Sequence, residues 1–232
     1  IENKFLGGKN GSRKLNTFNE FSDAKDVKEV KFKNLIINVA GEDRKLPNII
    51  LNQGLHIVFG NSGVGKSTFV NSIISGGNIR SGCFYINKKE VSGKLLIGSQ
   101  NGIAYCDSNA NLFNGSIYQN IDFGRGYSKQ QVKAALEFVD LNINGVQNTV
   151  DYQIRGYGSS LSSGQKQRIK LARAIISSPT FLILDETLNG IQAISAEKIC
   201  ENLKSMKCVT LFITHDKNLR TYADELIEIK NE

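Results

Sequence analysis

A glycine-rich stretch in the first third of the chain carries residue types that bind phosphate. From Gly60 to Thr68 it reads G-N-S-G-V-G-K-S-T, which matches the pattern G-x-x-x-x-G-K-[ST] at each fixed position. Glycines let several backbone N–H groups turn toward phosphate oxygens. Lys66 can bring a positive charge to the β- and γ-phosphates, and the Ser67 hydroxyl can ligate Mg²⁺. The nucleotide-binding residues predicted from this stretch are Gly60, Asn61, Ser62, Gly63, Val64, Gly65, Lys66, Ser67 and Thr68.

The flanking sequence supplies the elements that such a loop needs. Leu55–Phe59 is typical of a short buried strand, and apolar residues after the loop recur on one helical face, at Phe69, Val70, Ile73 and Ile74. A helix that starts at the loop adds the positive end of its dipole to the phosphate site. A glycine-rich turn that binds nothing is the alternative, and the agreement of strand, loop and helix disfavours it.

Two other predicted strands end in residues that could act on a bound phosphate. The apolar run Phe181–Leu184 is followed by Asp185 and Glu186, and the run Val209–Ile213 is followed by Thr214 and His215. An aspartate at the end of a buried parallel strand can hold Mg²⁺, and a glutamate beside it can position or deprotonate a water. Ligands of such folds bind at this edge of the sheet.

A fourth stretch, L-S-S-G-Q-K-Q-R at residues 161–168, precedes a predicted helix with apolar residues at Ile169, Ala172, Ile175 and Ile176. Serine and glycine at the start of a helix form an anion site, because the first N–H groups of a helix have no partner within it.

Composition sets bounds on the class of protein. The chain has 232 residues, is 40% hydrophobic and carries a formal net charge of +7, with its lysines spread rather than clustered. We therefore expect no nucleic-acid partner. The four cysteines (Cys83, Cys106, Cys200 and Cys208) lack metal-site spacing and are predicted to be reduced thiols. No apolar run reaches the ~18 residues of a membrane span.

The domain organisation is predicted from changes in pattern along the chain. Residues 1–27 are predicted to be a linker, with a short helix at Leu15 to Phe21, and residues 28–232 a single domain. Residues 26–52 and 79–98 are predicted to form strands, including 83–86 and 95–97, with a hairpin turn at 41–43. Residues from about 112 to 178 are predicted to be mostly helical, with Ser128 as the N-cap of one helix.

In this order and spacing, the four stretches resemble the nucleotide-binding domain of an ABC transporter. Residues 161–165 are similar to the family signature L-S-G-G-Q, residues 181–186 to its Walker B strand and His215 to its switch histidine, while residues 112–121 resemble an exporter segment. The resemblance covers residue 28 to the end. It implies an α/β P-loop NTPase fold with a RecA-like parallel-sheet core, an antiparallel β subdomain and a helical subdomain.

The resemblance also implies partners, cofactors and roles. ATP and Mg²⁺ would lie between the phosphate loop of one domain and the signature of a second nucleotide-binding domain, in a head-to-tail dimer. Residues 1–27 would lead from a transmembrane domain that this sequence does not contain, at the cytoplasmic face of a membrane such as the bacterial inner membrane. The implied catalytic residues are Glu186, His215 and Lys66. The implied metal ligands are Ser67, Asp185 and Ser108, and the implied further ATP contacts are Val39, Ser162, Ser163, Gly164 and Gln165.

Four positions depart from the family pattern. Ser108 stands where a longer glutamine is expected, Val39 where an aromatic residue stacks on adenine, Gln192 where an aspartate is expected, and Ser163 replaces the first signature glycine. Tyr152, Tyr105 or a linker residue are alternative adenine contacts.

These departures leave three readings of function. The first is the ATPase domain of an exporter, in which ATP-driven dimerisation powers transport. The second is a degenerate half that binds ATP, hydrolyses it poorly and pairs with an active partner. The third is a soluble ABC ATPase that is not a transporter.

Overall fold

The computed structural model describes residues 26–91, 102–108, 111–143 and 147–230. In chain order its main elements are β1 (Glu29–Val39), β2 (Glu42–Lys45), β3 (Ile49–Asn52), β4 (Gly54–Phe59), α1 (Lys66–Ser75), β5 (Ile79–Ile86), β6 (Lys89–Val91), β7 (Ile103–Asp107), β8 (Gly115–Ser116), α2 (Ile117–Asp122), α3 (Lys129–Phe138), β9 (Gln153–Ile154), α4 (Ser163–Ile175), β10 (Phe181–Asp185), α5 (Ala193–Ser205), β11 (Val209–Ile213) and β12 (Glu225–Glu228). Short 3₁₀ turns lie at Thr149–Asp151, Gly156–Gly158 and Asn218–Tyr222.

A five-stranded parallel sheet, in the order β12-β4-β11-β10-β7, forms the centre of the fold. Every residue of β10 and β11 is buried, which explains why both strands are continuous apolar runs rather than alternating ones. Because the strands are parallel, the residues that follow β4, β7, β10 and β11 all lie at the same edge of the sheet.

A second, antiparallel sheet packs beside the first. Its path is β2-β1-β5-β6, and β3 also pairs with β1. The hairpin between β1 and β2 closes where Val39 pairs with Glu42, so its turn consists of Ala40 and Gly41. The turn predicted at 41–43 overlaps it only at Gly41, because residues 42 and 43 already belong to β2. The strand predicted at 95–97 lies outside the described residues.

The segment predicted to be mostly helical contains α2, α3 and α4, together with a two-residue pairing of β8 with β9. Each of the three helices begins with the same reciprocal pair of hydrogen bonds, a capping box between an N-cap serine and a glutamine three residues later. The pairs are Ser116 with Gln119, Ser128 with Gln131, and Ser162 with Gln165.

The start of α4 corrects one expectation. The sequence predicts a helix after residues 161–168, but the helix begins at Ser163, inside that stretch. The reason is the capping box, because Ser162 and Gln165 satisfy orphan N–H groups of the first turn and so stabilise a helix start at this point. Apart from this shift, the fold class predicted from the sequence is confirmed.

Two apolar clusters fill the space on the two sides of the parallel sheet. The first cluster joins one face of the sheet to α2, α3, α4 and α5, and the second joins the other face to α1 and the antiparallel sheet. Val27, which the predicted boundary assigns to the linker, is fully buried in the second cluster. Residues 1–25 of that linker lie outside the described residues. Among the helices that the structure describes, none combines the length and apolarity of a membrane span.

Candidate nucleotide site

The predicted phosphate loop connects β4 to the first turn of α1, as its sequence requires. Gly65 has φ 98°, in the left-handed region that a residue with a Cβ adopts at a cost. Gly60 is needed for a different reason, since a Cβ there would lie 2.3 Å from the carbonyl oxygen of Ile229. Close packing and backbone conformation therefore both fix glycine in this loop.

Lys66, the first residue of α1, is folded back into the loop. Its side chain is 4% exposed, and its Nζ donates to the carbonyl oxygens of Gly60 at 3.0 Å and Asn61 at 2.8 Å. Burial lowers the pKa of Lys66, and the nearby charges of Glu186 and Asp185 oppose that shift. A buried ammonium that binds only carbonyl oxygens here is well suited to bind phosphate oxygens.

Ser67 and Asp185 meet at the end of β10. The Ser67 Oγ donates to Asp185 Oδ1 at 3.3 Å, and Asp185 is 8% exposed. Burial raises the pKa of Asp185, and the charges of Glu186 and Asp107 add to the increase. This donor set, a hydroxyl and one buried carboxylate beside a phosphate loop, fits a magnesium ion that a nucleotide would share.

Glu186 follows Asp185 in a left-handed backbone conformation, with φ 52°. Its Oε1 lies 2.9 Å from Nε2 of His215, and its Oε2 accepts from Nδ2 of Asn189 at 3.2 Å. A non-glycine residue held in this conformation carries backbone strain, which is typical of functional positions. The structure thus brings Glu186 and His215 together at the sheet edge that carries the phosphate loop.

Of the four signature residues that are implied ATP contacts, two are exposed and two are at least partly buried. Ser162 and Ser163 are exposed, Gln165 is half-buried and Gly164 is buried. A Cβ on Gly164 would lie 2.7 Å from the carbonyl oxygen of Gly190, so α4 packs directly on the loop that follows Glu186.

Ser108 lies just after β7, next to the strand that carries Asp185. Its carbonyl oxygen accepts from Lys170 Nζ at 2.6 Å and from Gln167 Nε2 at 3.4 Å, which ties this position to α4. Within the described residues, the Ser108 hydroxyl makes no hydrogen bond that would support a metal ligand. The role of Ser108 as a metal ligand therefore stays a prediction.

The three candidates for the adenine contact lie in different places. Val39 is 8% exposed and packs against the phosphate loop, where a Cβ on Gly65 would lie 2.7 Å from its Cγ2. Tyr105 is half-buried inside β7, and its pKa is raised, first by burial and then by the charge of Asp107. Tyr152 lies near the signature, with its hydroxyl 3.4 Å from that of Ser160. Of these three, Val39 is the one that contacts the loop.

The sequence patterns do not single out three side chains of this region. Asp107 pairs in register with Asp185, Asn189 bonds Glu186, and Arg44 donates to the carbonyl oxygen of Gly63 at 3.2 Å. For Asp107, the usable signal is its place at the end of an apolar run that pairs with β10.

Comparisons of the sequence with known proteins point to one family. The family profile described as "ABC transporter" matches residues 48–189. The sublancin-168-processing and transport ATP-binding protein SunT of Bacillus subtilis is 33% identical over 172 residues, which is 73% of this chain and 24% of SunT. The ATP-dependent lipid A-core flippase of Blochmanniella pennsylvanica is 33% identical over 179 residues, 74% of this chain and 30% of the flippase.

A solved structure shares the fold. The structure of a bacterial Atm1-family ABC exporter with ATP bound superposes with a TM-score of 0.75 at 22% identity, covering 88% of this chain and 37% of the exporter chain. The chain therefore spans about a quarter to a third of the length of these relatives and somewhat more of the exporter chain.

Proposed function

The chain belongs to the ABC transporter family, and from that premise we propose that it is the ATP-hydrolysing domain of an ABC exporter. The observation that carries the proposal is the set of side chains assembled at one edge of the parallel sheet. Lys66 and Ser67 begin α1, Asp185 ends β10 and Glu186 follows it, and His215 follows β11. These are a cation, two magnesium-type oxygen donors and a paired carboxylate and imidazole, which phosphoryl transfer to water requires.

Each side chain has a task that its contacts support. Lys66 exchanges its two carbonyl partners for phosphate oxygens, and the loop N–H groups bind the remaining oxygens. Magnesium, when bound with the nucleotide, neutralises charge on the β- and γ-phosphates, and Ser67 and Asp185 would hold it.

Glu186 is the proposed general base. Each carboxylate oxygen has two lone pairs, so Glu186 can accept from a water while it keeps His215 on Oε1 and Asn189 on Oε2. His215 Nε2 donates to Glu186, and this hydrogen bond fixes the direction of the imidazole ring. In the proposed mechanism the ring lies beside the γ-phosphate. Glu186 therefore takes the proton of the attacking water, and His215 positions the Glu186 carboxylate.

The exposed signature supports a partner. Ser162 and the N–H groups near Gly164 would bind the γ-phosphate held in the phosphate loop of a second nucleotide-binding domain, which makes a head-to-tail dimer. Attachment to a transmembrane domain at the cytoplasmic face of a membrane, and transport powered by dimerisation, complete the proposal.

A second candidate is favoured by two positions. Ser108 is too short to reach far from the end of β7, and Val39 is aliphatic where it meets the loop. A domain with these residues could bind ATP and yet hydrolyse it slowly, and pair with a more active domain. Turnover of the purified protein, measured alone across a concentration series, separates this candidate from the first.

The main test uses Glu186→Gln, which keeps the hydrogen bonding of residue 186 but removes its ability to take a proton. We expect the variant to bind MgATP, to turn over at least about 100-fold more slowly than the parent and to form a dimer with MgATP but not with MgADP. Size is measured across protein concentration, because separate domains meet less often than domains joined through membrane helices.

A second substitution tests the dimer interface. Ser162→Arg in the Glu186→Gln background should dissolve the dimer, since it places bulk and charge where the γ-phosphate must lie. Ser128→Arg is the matched control, because it removes the same kind of capping box from α3. If Glu186→Gln hydrolyses ATP as fast as the parent, Glu186 is not the base, and if it stays monomeric with MgATP, the partner is a different domain.

A further inference from the structure

One face of the β1–β2 hairpin lies over the phosphate loop. Residues paired across antiparallel strands project to the same face, and Ile37 pairs with Arg44 while Val39 pairs with Glu42. On this face Val39 and Ile37 reach the loop, since a Cβ on Gly65 would lie 2.7 Å from Val39 Cγ2 and 3.7 Å from Ile37 Cδ1. Arg44 and Glu42 therefore project toward the loop from the outer strand.

Arg44 is held against the loop by two of its nitrogens. Its Nη1 donates to the carbonyl oxygen of Gly63 at 3.2 Å, and its Nη2 lies 3.4 Å from Glu42 Oε2. The Arg44 side chain is 20% exposed, whereas that of Glu42 is 78% exposed. The plane of the guanidinium is therefore fixed beside the loop by contacts with two separate segments.

The contact with Gly63 shows on which side of the loop the guanidinium lies. The carbonyl of Gly63 and the N–H of Val64 belong to one trans peptide and point in opposite directions. If the Val64 N–H faces the phosphates, as in the proposed function, the guanidinium lies outside the phosphate cradle. A Cβ on Gly63 would meet nothing within 4 Å, so there is open space next to this contact.

A nucleotide whose phosphates fill the cradle must place its nucleoside against an element that flanks the loop. The hairpin face flanks it at Gly65, where the neighbouring side chains are the aliphatic Val39 and Ile37, and at Gly63, where Arg44 donates to the loop. A guanidinium is planar and cationic and stacks on the face of a ring, while a valine cannot.

We propose that Arg44 binds the base of the nucleotide by stacking its guanidinium on the purine ring. The inference rests on the proposed function, because it needs a nucleoside triphosphate in the loop. Stacking uses the π face that all bases share and not the hydrogen bonds that distinguish them. Arg44 therefore accepts adenine and guanine alike, and GTP competes well with ATP.

The experiment compares two ligands that share the phosphates and differ in the nucleoside. Calorimetric titrations of the purified protein use ATP and inorganic tripolyphosphate, each with Mg²⁺. Arg44→Ala should weaken ATP binding about 5- to 30-fold and leave tripolyphosphate binding unchanged. Arg44→Lys keeps the charge but loses the plane, so we expect it to weaken ATP binding nearly as much as Arg44→Ala does.

Arg80→Ala is the matched control. Arg80 is an arginine of the same antiparallel sheet, is 60% exposed and pairs with Asp43 at 3.5 Å, so its removal should change neither titration. Parent-like ATP binding by Arg44→Ala overturns the inference, and so does parent-like binding by Arg44→Lys, which would indicate charge alone. An equal loss of ATP and tripolyphosphate overturns it as well, because the contact would then be to the phosphates.

The proposed function fails in a different way. If the parent binds neither ATP nor tripolyphosphate, the loop holds no nucleotide, and the inference falls together with the function. If the parent binds both ligands and the Arg44 variants match it, only the inference is wrong.

Discussion

The phosphate loop and the signature are both proposed anion-binding segments at the start of a helix, but they are built in opposite ways. In the loop, Lys66 is 4% exposed and its hydrogen bonds go to carbonyl oxygens of the same loop. In the signature, Ser162 is exposed and bonds the residue three positions on, Gln165. The loop turns its cation inward onto its own backbone, whereas the signature presents its serine outward.

This difference separates a site that the folding of one domain forms from a site that, under the proposed function, needs a second domain. The loop carries a desolvated ammonium, and burial lowers its pKa, so a bound phosphate would relieve an existing cost. The signature carries no such cost, because its capping box satisfies the helix start while the outward face is exposed to water. Under the proposed function, the domain is therefore stable as a monomer, and its signature binds phosphate only when a second domain is present.

The largest effect is expected where the loop loses its cation. Lys66→Ala should weaken ATP binding by at least about 100-fold, because it removes the one charge-assisted donor of the loop's side chains. Calorimetric titration measures this, and Lys133→Ala, an exposed lysine of α3 paired with Glu137, is the control. Tight ATP binding by Lys66→Ala would show that the loop is not the main phosphate site. The buried cation would then not distinguish the loop from the signature.

A glycine in α4 tests the other side of the comparison. Gly164→Ala places a Cβ 2.7 Å from the carbonyl oxygen of Gly190, so backbone must shift. We expect a loss of about 1–3 kcal/mol in the free energy of unfolding, measured with urea, and unchanged ATP affinity in the monomer.

Gly77→Ala is the control for that substitution. Its added Cβ would meet only a side-chain atom, the hydroxyl of Ser75 at 3.2 Å, whereas the Cβ at residue 164 meets backbone. If Gly164→Ala weakened ATP binding by the monomer as well, the signature and the loop would not be separate units.

The two segments also differ in how well the sequence predicts them. The residues of the loop are consecutive, so their spacing alone identifies the site. The start of α4 is equally local, and S-x-x-Q at Ser162 and Gln165 was a usable signal for a helix that begins at Ser163.

The sequence patterns did not reveal two contacts, for different reasons. Arg44 reaches Gly63 because the β1–β2 hairpin docks on the loop, which depends on how separate elements meet. Asn189 reaches Glu186 through a local turn after β10, three residues long, which no periodic pattern marks. Glu186 and His215 were predictable because they follow strands that the sequence marks as buried and parallel.

Ser108 offers a smaller test, at a position that is hydrogen-bonded to the signature helix. Its carbonyl is already held by Lys170 and Gln167 of α4, so a longer side chain can be added without disturbing that link. Ser108→Gln should raise the turnover number by up to roughly tenfold, equivalent to one added hydrogen bond of about 1.4 kcal/mol, with little change in ATP affinity. Ser108→Ala keeps the carbonyl contacts and serves as the control, and equal turnover in both variants would contradict the prediction.

The smallest expected effect concerns how the exposed signature is fastened to the domain. Asp140, which follows α3, binds Lys198 Nζ at 2.6 Å and Ser195 Oγ at 2.7 Å, both of α5. Its carbonyl accepts from Arg168 of α4, whose Nε donates to the carbonyl of Gly164. These contacts connect α3 and α5 to the first turn of the signature helix.

The charge of Asp140 should make this connection dependent on pH. The hydrogen bond from Lys198, and then that from Ser195, lower the pKa of Asp140 in the folded protein. A lowered pKa means that the stabilisation is fully present above the unfolded value, about 3.9, and is lost as the pH falls through the folded value. Asp140→Asn should therefore cost about 1 kcal/mol at pH 7, and its difference from the parent should shrink below about pH 4.

Urea unfolding at several pH values measures this difference. Glu137→Gln is the control, since Glu137 is 68% exposed and its ion pair with Lys133 spans 3.8 Å, and it should change stability little at any pH. A difference between Asp140→Asn and the parent that stayed constant from pH 7 to pH 3 would mean that shape, and not charge, fastens the signature helix. In that case the signature would be held as the phosphate loop is held by Gly60, through close packing, and the contrast between the two segments would concern only their exposure.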